Sequence, residues 1–326
     1  MKKMILRFFP KLYKCLGLFR AEVLRPYNSL PKQYRKASFL GYLWNYLLYG
    51  CDVGEYNCFS FQDRNSKSKR EFVTIRKNRK LDRMFNTPEA NKILWDKASF
   101  NDYFRHFNKR SYLAINQNTT DEQLNDFVSK FDNYLVKPDF MFYGIGIYKA
   151  SGLEELKKLR DSGQTYVVEE IITNCDEFAV LNNSSLNTLR CVTCIDQWGV
   201  NIIAVTLRVG SKNSIVDNVH SGGTYYHVDV ETGIVDQKGM DGYGNWTYLH
   251  HPDSGVVMPG YRIPRFNEVK SFVIDIAKHL QEARYVGWDI AITPDSIEVI
   301  EGNVSPGADA LQSNQVGIYK LIKNYK

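Results

Sequence analysis

The chain has 326 residues, 44% of them hydrophobic and 24% charged, and a formal net charge of +6. That length buries a large core and favours two or three lobes with a cleft between them, and the composition excludes disorder and repeat solenoids. The excess charge sits at the start: residues 1–20 carry Lys2, Lys3, Arg7, Lys11, Lys14 and Arg20 and no acid, leaving 36 basic against 36 acidic side chains, a neutral body that argues against a nucleic-acid partner.

In chain order, Ile5, Phe8, Phe9, Leu12, Leu16 and Phe19 follow helical spacing, with Lys3, Arg7, Lys11 and Lys14 opposite. This segment suits docking on the protein's own core or lying on an anionic membrane surface, and Pro10 would kink it. Lysines interrupt any signal-peptide core and no apolar run spans a bilayer, so the expected location is cytoplasmic, with peripheral contact at the inner membrane face open to residues 1–20. Residues 33–50 read as a helix and 69–107 as further short helices. A helix near 121–131, a strand near 133–137, a glycine loop, a helix near 152–161 and a strand near 165–172 follow. From 187 to 230 the runs TLRCVTCI, VNIIAVTLRV, NSIVDNV and TYYHVDV predict an antiparallel meander. Residues 236–264 lack periodicity and form a long loop of the kind that is often functional. A helix over 267–281 and a terminal hairpin, YVGWDIAIT and SIEVIEGNV, complete the mixed α+β pattern.

The six cysteines are too sparse for a disulfide framework. Cys191 and Cys194 make a CxxC, but in a strand positions three apart face opposite ways, which disfavours zinc or redox chemistry. The histidines show no zinc-ligand spacing.

The hairpin carries the strongest chemistry. Asp289 lies on its first strand and Glu301 and Asn303 lie on one face of the second, so three oxygens can converge. Two carboxylates and an amide suit a magnesium ion whose other positions go to phosphates. Solvent-facing alternation is the plainer reading, but these polar groups interrupt a run apolar on both faces. Arg190 and Arg208 lie in neighbouring strand-like runs, and each guanidinium can fork onto a carboxylate or phosphate, or make a structural ion pair.

The blocks VGWDIAITPDSIEVIEGN at 286–303, SLNTLRCVT at 185–193, LRVGSKNSIVDNVHSGGTYYHVD at 207–229 and HPDSGVVMPGYRIP at 251–264 resemble the ATP-grasp enzymes, within them the sugar-transfer-associated group, over roughly residues 80–310. The resemblance implies two α+β lobes clamping ATP behind a helical N-terminal region at 1–80. The ATP-grasp domain would occupy 81–320, with a small lobe at about 110–175 and a large lobe at about 176–320. It implies phosphate contacts from Lys97, Lys137 and a flexible loop bearing Gly144 and Gly146, and an adenine-side hinge at Glu170 and Ile172 supported by Glu169. It places the ribose contact at Glu177, with Asp176 beside it as the alternative. Its metal would be one or two Mg2+, with Mn2+ able to substitute, on Asp289, Glu301 and Asn303. Lys137, Arg190 and Arg208 would be catalytic. The implied reaction is ADP-forming carbon–nitrogen ligation through an acyl phosphate, joining an amine or amino acid to a small or glycan-linked carboxylate in surface polysaccharide or capsule biosynthesis. The rivals are a phosphotransferase acting on a sugar hydroxyl, drawing a base from the 250–253 loop, and a non-catalytic nucleotide-binding protein.

Overall fold

A computed structural model of the chain describes residues 20–139, 145–212, 214, 215, 217 and 222–326. The apolar-basic segment 1–19 lies outside the described residues, as do Gly144, Asn218 and Ser221.

The first third is helical: α1 (Arg25–Ser29), α2 (Phe39–Tyr49), α3 (Val53–Cys58), α4 (Ser66–Glu71), α5 (Ile75–Phe85), α6 (Pro88–Trp95) and α7 (Lys97–Tyr103). Local signals set the breaks. The Ser38 hydroxyl accepts from Gly41 N to start α2, and Gly50 ends it at φ 69°, where a side chain is strained. Asp52 and Glu55 then form a reciprocal capping box for α3. Tyr42, Phe59, Phe61 and Phe72 pack with Tyr225, Met240, Ala308 and Ala310 from the far end of the chain. The backbone at Gly244 comes so close to Cys58 that an added Cβ would lie 2.7 Å from its nitrogen.

Four antiparallel strands, β1 (Tyr112–Ile115), β2 (Asn133–Pro138), β3 (Tyr148–Ser151) and β4 (Tyr166–Glu170), form a sheet in the order β1-β4-β2-β3. The helices α8 (Asp121–Lys130) and α9 (Leu153–Asp161) cover it with Leu124, Phe127, Leu156 and Leu159. The edge strands β1 and β3 are four residues each, too short to show alternation, and the sequence pattern misses both.

The larger sheet is antiparallel in the order β11-β10-β5-β6-β7-β8-β9. Its strands are β5 (Thr188–Asp196), β6 (Gly199–Val209), β7 (Thr224–Val228), β8 (Gly239–Met240), β9 (Trp246–Tyr248), β10 (Tyr285–Ile292) and β11 (Ile297–Val304). The short α10 (Asp176–Ala179) precedes β5, and α11 (Phe266–His279) packs on one face of the sheet through Val269, Val273 and Ile276. Two final helices follow β11, α12 (Ala308–Leu311) and α13 (Tyr319–Lys323); Ile322 of α13 and Leu81 of α5 pack on the opposite face. Cys191 belongs to the first of these cores and Cys194 to the second, so the CxxC pair is split across the sheet as strand geometry requires.

Two departures from the sequence pattern bear on the site. The described residues of the run at 213–219 are in no strand, because Asp217 turns inward to Arg208 and Thr188. The long aperiodic loop is partly sheet: β8 and β9 lie within it and extend the sheet past β7.

Candidate active site

Three adjacent strands bring the charged residues of the hairpin together. In the register of the large sheet, Asp289 on β10 sits opposite Arg190 on β5 and opposite Glu301 on β11. Arg190 donates from Nε to Asp289 Oδ1 and from Nη2 to Oδ2, the latter at 2.9 Å, while Arg208 Nη1 donates to Oδ2 at 2.5 Å. Arg208 Nη2 also reaches Asp217 Oδ1 at 3.0 Å, and Asp217 accepts from the Thr188 hydroxyl. Asn303 Nδ2 donates to Glu301 Oε1 at 3.1 Å and to the Gly287 carbonyl at 3.3 Å.

The electrostatics follow from this crowding. Burial alone would raise the Asp289 pKa, but the two guanidinium charges outweigh it and hold the carboxylate well below its usual range. Glu301 goes the other way: desolvation first and the neighbouring Asp289 charge second push it up. Its side chain is still 48% exposed, so it forms the wet rim of the cluster. Two carboxyl groups in contact, one inclined to keep a proton, are a place where a hard cation can substitute for that proton, and the Asn303 amide supplies a third oxygen. The donor set therefore fits a magnesium ion. Among the described residues, buried Arg208 Nε meets no acceptor. A buried unpaired donor costs about 1–3 kcal/mol, which an incoming oxyanion would recover.

Glycine makes the arrangement possible. A Cβ on Gly287 would lie 2.9 Å from Arg190 Cδ and 2.6 Å from Pro306 Cβ, and one on Gly302 would lie 2.6 Å from Leu94 Cδ2. Gly287→Ala is expected to shift Arg190 off Asp289, costing about 1–3 kcal/mol of stability and at least about tenfold in turnover. Thermal unfolding and initial rates check both effects.

A second charged cluster lies on the small sheet. Glu169, 3% exposed, accepts from Lys137 Nζ at 2.6 Å, Arg110 Nε at 3.2 Å and Asn101 Nδ2 at 3.0 Å. Burial opposes ionisation here too, but the Lys137 and Arg110 charges bring the Glu169 pKa down to about 2. Arg110 continues into the large lobe, donating to the Val299 carbonyl at 2.8 Å and lying 3.6 Å from Glu298. Lys97 opens α7, where its backbone NH donates to Asp139 Oδ1 at 2.8 Å and its Nζ to the Asp139 carbonyl at 3.1 Å. Burial lowers the Lys97 pKa, opposed by the charges of Glu301 and Asp139.

Against this second cluster lies a cleft of about 110 Å3. Leu135, Ile172, Leu186, Ile215 and Ile300 form its apolar walls, and Lys137, Lys149, Glu169 and Glu170 are among its polar groups. The structure thus brings Lys137, Glu169, Glu170 and Ile172 to one cavity and Arg190, Arg208, Asp289, Glu301 and Asn303 to one cluster. Glu170 pairs with Tyr134 on β2, and its NH donates to the Ser111 carbonyl. Gly146 stands at φ 77° against Pro138, where β2 ends. Asp176 and Glu177 are exposed on α10 and line no part of the cleft, and the Glu177 carbonyl accepts from the Tyr261 hydroxyl. In the 250–253 loop His251 is 1% exposed, with Nδ1 3.1 Å from the Ser254 hydroxyl, and burial lowers its pKa. Sequence reasoning missed Arg110, Asn101, Glu298 and Lys149, none of which lies in a recognisable motif.

Against known proteins, the sequence profile described as sugar-transfer associated ATP-grasp matches residues 147–326. Among solved structures, the ATP-grasp ligase PsnB complexed with its minimal precursor is similar at 18% identity and a TM-score of 0.45, over 74% of this chain and 62% of that one. D-alanyl-alanine synthetase A from Vibrio cholerae O1 biovar eltor str. N16961 is similar at 12% identity and a TM-score of 0.47, over 74% and 67% of the two chains. The L-amino acid ligase from Bacillus licheniformis is similar at 12% and 0.46, over 72% and 48%. The chain therefore spans less than two thirds of the PsnB chain. No curated protein matches the chain.

Proposed function

Because the chain belongs to the sugar-transfer associated ATP-grasp family, we propose that it is an ADP-forming ligase that activates a carboxylate as an acyl phosphate and passes it to an amine. The observation that carries this reading is the union of two anion-handling groups at one place. Asp289, Glu301 and Asn303 offer oxygens for a cation, and Arg190 and Arg208 lie against them with one buried guanidinium NH unspent. Such a site can hold a phosphoryl donor and an acceptor carboxylate side by side.

The apolar walls of the cleft suit a purine ring, and Lys137, Lys149 and Lys97 supply positive charge along the route towards Glu301. Mg2+ on Asp289, Glu301 and Asn303 would neutralise the phosphate oxygens, one or two ions being the usual complement and Mn2+ a workable substitute. Arg208 orients the acceptor carboxylate through its Nε, which meets no acceptor among the described residues, and Arg190, fixed on Asp289, holds the charge of that wall constant. Attack on the γ-phosphorus then forms the acyl phosphate and releases ADP; the amine displaces phosphate to give the amide. The family's sugar-transfer association favours a sugar-linked carboxylate, in surface polysaccharide or capsule biosynthesis.

The test is ADP and phosphate release from Mg-ATP with a panel of uronic acids and amino acids, with and without hydroxylamine. A hydroxamate that forms only with a carboxylate substrate is the expected outcome. ADP release with phosphate retained on a sugar, and no hydroxamate, would make the protein a kinase.

A further inference from the structure

The neutral body read from the sequence hides two poles. Residues 1–80 hold 18 Lys and Arg against 5 Asp and Glu, a net +13, and residues 81–326 carry −7. The described part of the positive pole is the helical region, and its helix α2 contains no charged residue. Leu40, Trp44, Leu47 and Leu48 are 75%, 63%, 55% and 53% exposed. At helical spacing they share one arc of about 100°. Tyr42 and Asn45 on the reverse of the helix are buried. The stripe is therefore an outward apolar face on a helix that already has an inward one.

A basic side chain stands at its end: Arg76 donates to the Tyr46 and Leu47 carbonyls at the end of α2 and lies over the Tyr46 ring. From these observations we propose that α2 is a docking face for an anionic phospholipid bilayer, with Trp44 and the leucines entering the headgroup boundary and the surrounding lysines and arginines meeting lipid phosphates.

Charge decides among the occupants. A second copy of the chain would bring +13 against +13, five of those positive charges falling in residues 1–19, whereas an anionic surface gains about 1 kcal/mol for each Lys or Arg near it. An indole flanked by leucines is the residue pattern of a bilayer interface, where the ring is amphipathic and the environment matches. Among the described residues no helix is long and apolar enough to cross a membrane, which is consistent with a helix lying on the surface. The same region packs on Tyr225, Ala308 and Ala310, beside the arginine cluster, so docking would set the acceptor side of the site close to a lipid-borne substrate.

Co-sedimentation of the full chain with phosphatidylcholine vesicles, and with vesicles that also contain phosphatidylglycerol, tests this. The expected result is binding to the anionic vesicles only, weakened by salt, and reduced at least about tenfold in Trp44→Glu with Leu47→Glu, with an unchanged thermal midpoint. The milder Leu40→Ser with Leu48→Ser should act in the same direction and stands in if the first variant does not fold. The idea is overturned if the wild-type chain ignores anionic vesicles. It is equally overturned if both variants bind as well as wild type, or if the variants only dissociate a dimer of the chain or release an acidic protein.

Discussion

Asp289→Asn is expected to lower kcat/KM for ATP by about a thousandfold, equivalent to roughly 4 kcal/mol of lost transition-state stabilisation. The side chain keeps its shape and loses its charge, so the effect isolates electrostatics from packing. Two further consequences follow from its partners. Arg190 and Arg208 are buried and lose the counter-charge they share, so the fold should weaken by about 3 kcal/mol. Glu301 loses the neighbour that helps to raise its pKa, so it should ionise at lower pH in the variant. Steady-state ADP release, chemical denaturation and the shift in melting temperature on adding Mg-ATP check these together. A variant that keeps wild-type turnover, or melts higher on adding Mg-ATP as wild type should, would remove Asp289 from the cation site.

Glu169→Gln is expected to destabilise the protein by about 3–5 kcal/mol at pH 7, because it leaves Lys137 and Arg110 buried with half their partner. The pH dependence separates charge from volume. The carboxyl has a folded pKa of about 2 against an ordinary 4.5, so below pH 4.5 the unfolded chain binds the proton that the folded chain refuses. The stabilising contribution is complete above pH 4.5 and falls away as the pH drops towards 2. Wild type and Glu169→Gln should therefore converge in unfolding free energy between pH 4.5 and pH 2 and run parallel above pH 5. Urea titrations across that range decide it, and curves that stay parallel throughout would mean that Glu169 acts through packing alone.

The parts of the fold that were legible in the sequence are those whose cause is local. Thr120 with Gln123 marks the start of α8, Pro264 precedes the Phe266–His279 helix, and the alternation of Glu301 and Asn303 places both on one face of β11. What was not legible depends on distant partners. Arg110 sits in an unremarkable KRSYL, and its meaning comes from Glu169, Asn101 and the Val299 carbonyl, which only folding brings near. That the run around Asp217 forms no strand was not legible, since β-branched neighbours carry the same signal whether or not the backbone pairs. The basic pole escaped because six charges within twenty residues draw the eye, while the next sixty residues add a net +7 more sparsely.

Arg110 also constrains motion. Its guanidinium holds Glu169 of the small sheet, Asn101 of α7, and the Val299 carbonyl and Glu298 of the large sheet together. Pulling the two sides apart at this point would leave a buried cation with only part of its partners, a costly loss. Relative movement of the two sheets is therefore most restricted at Arg110.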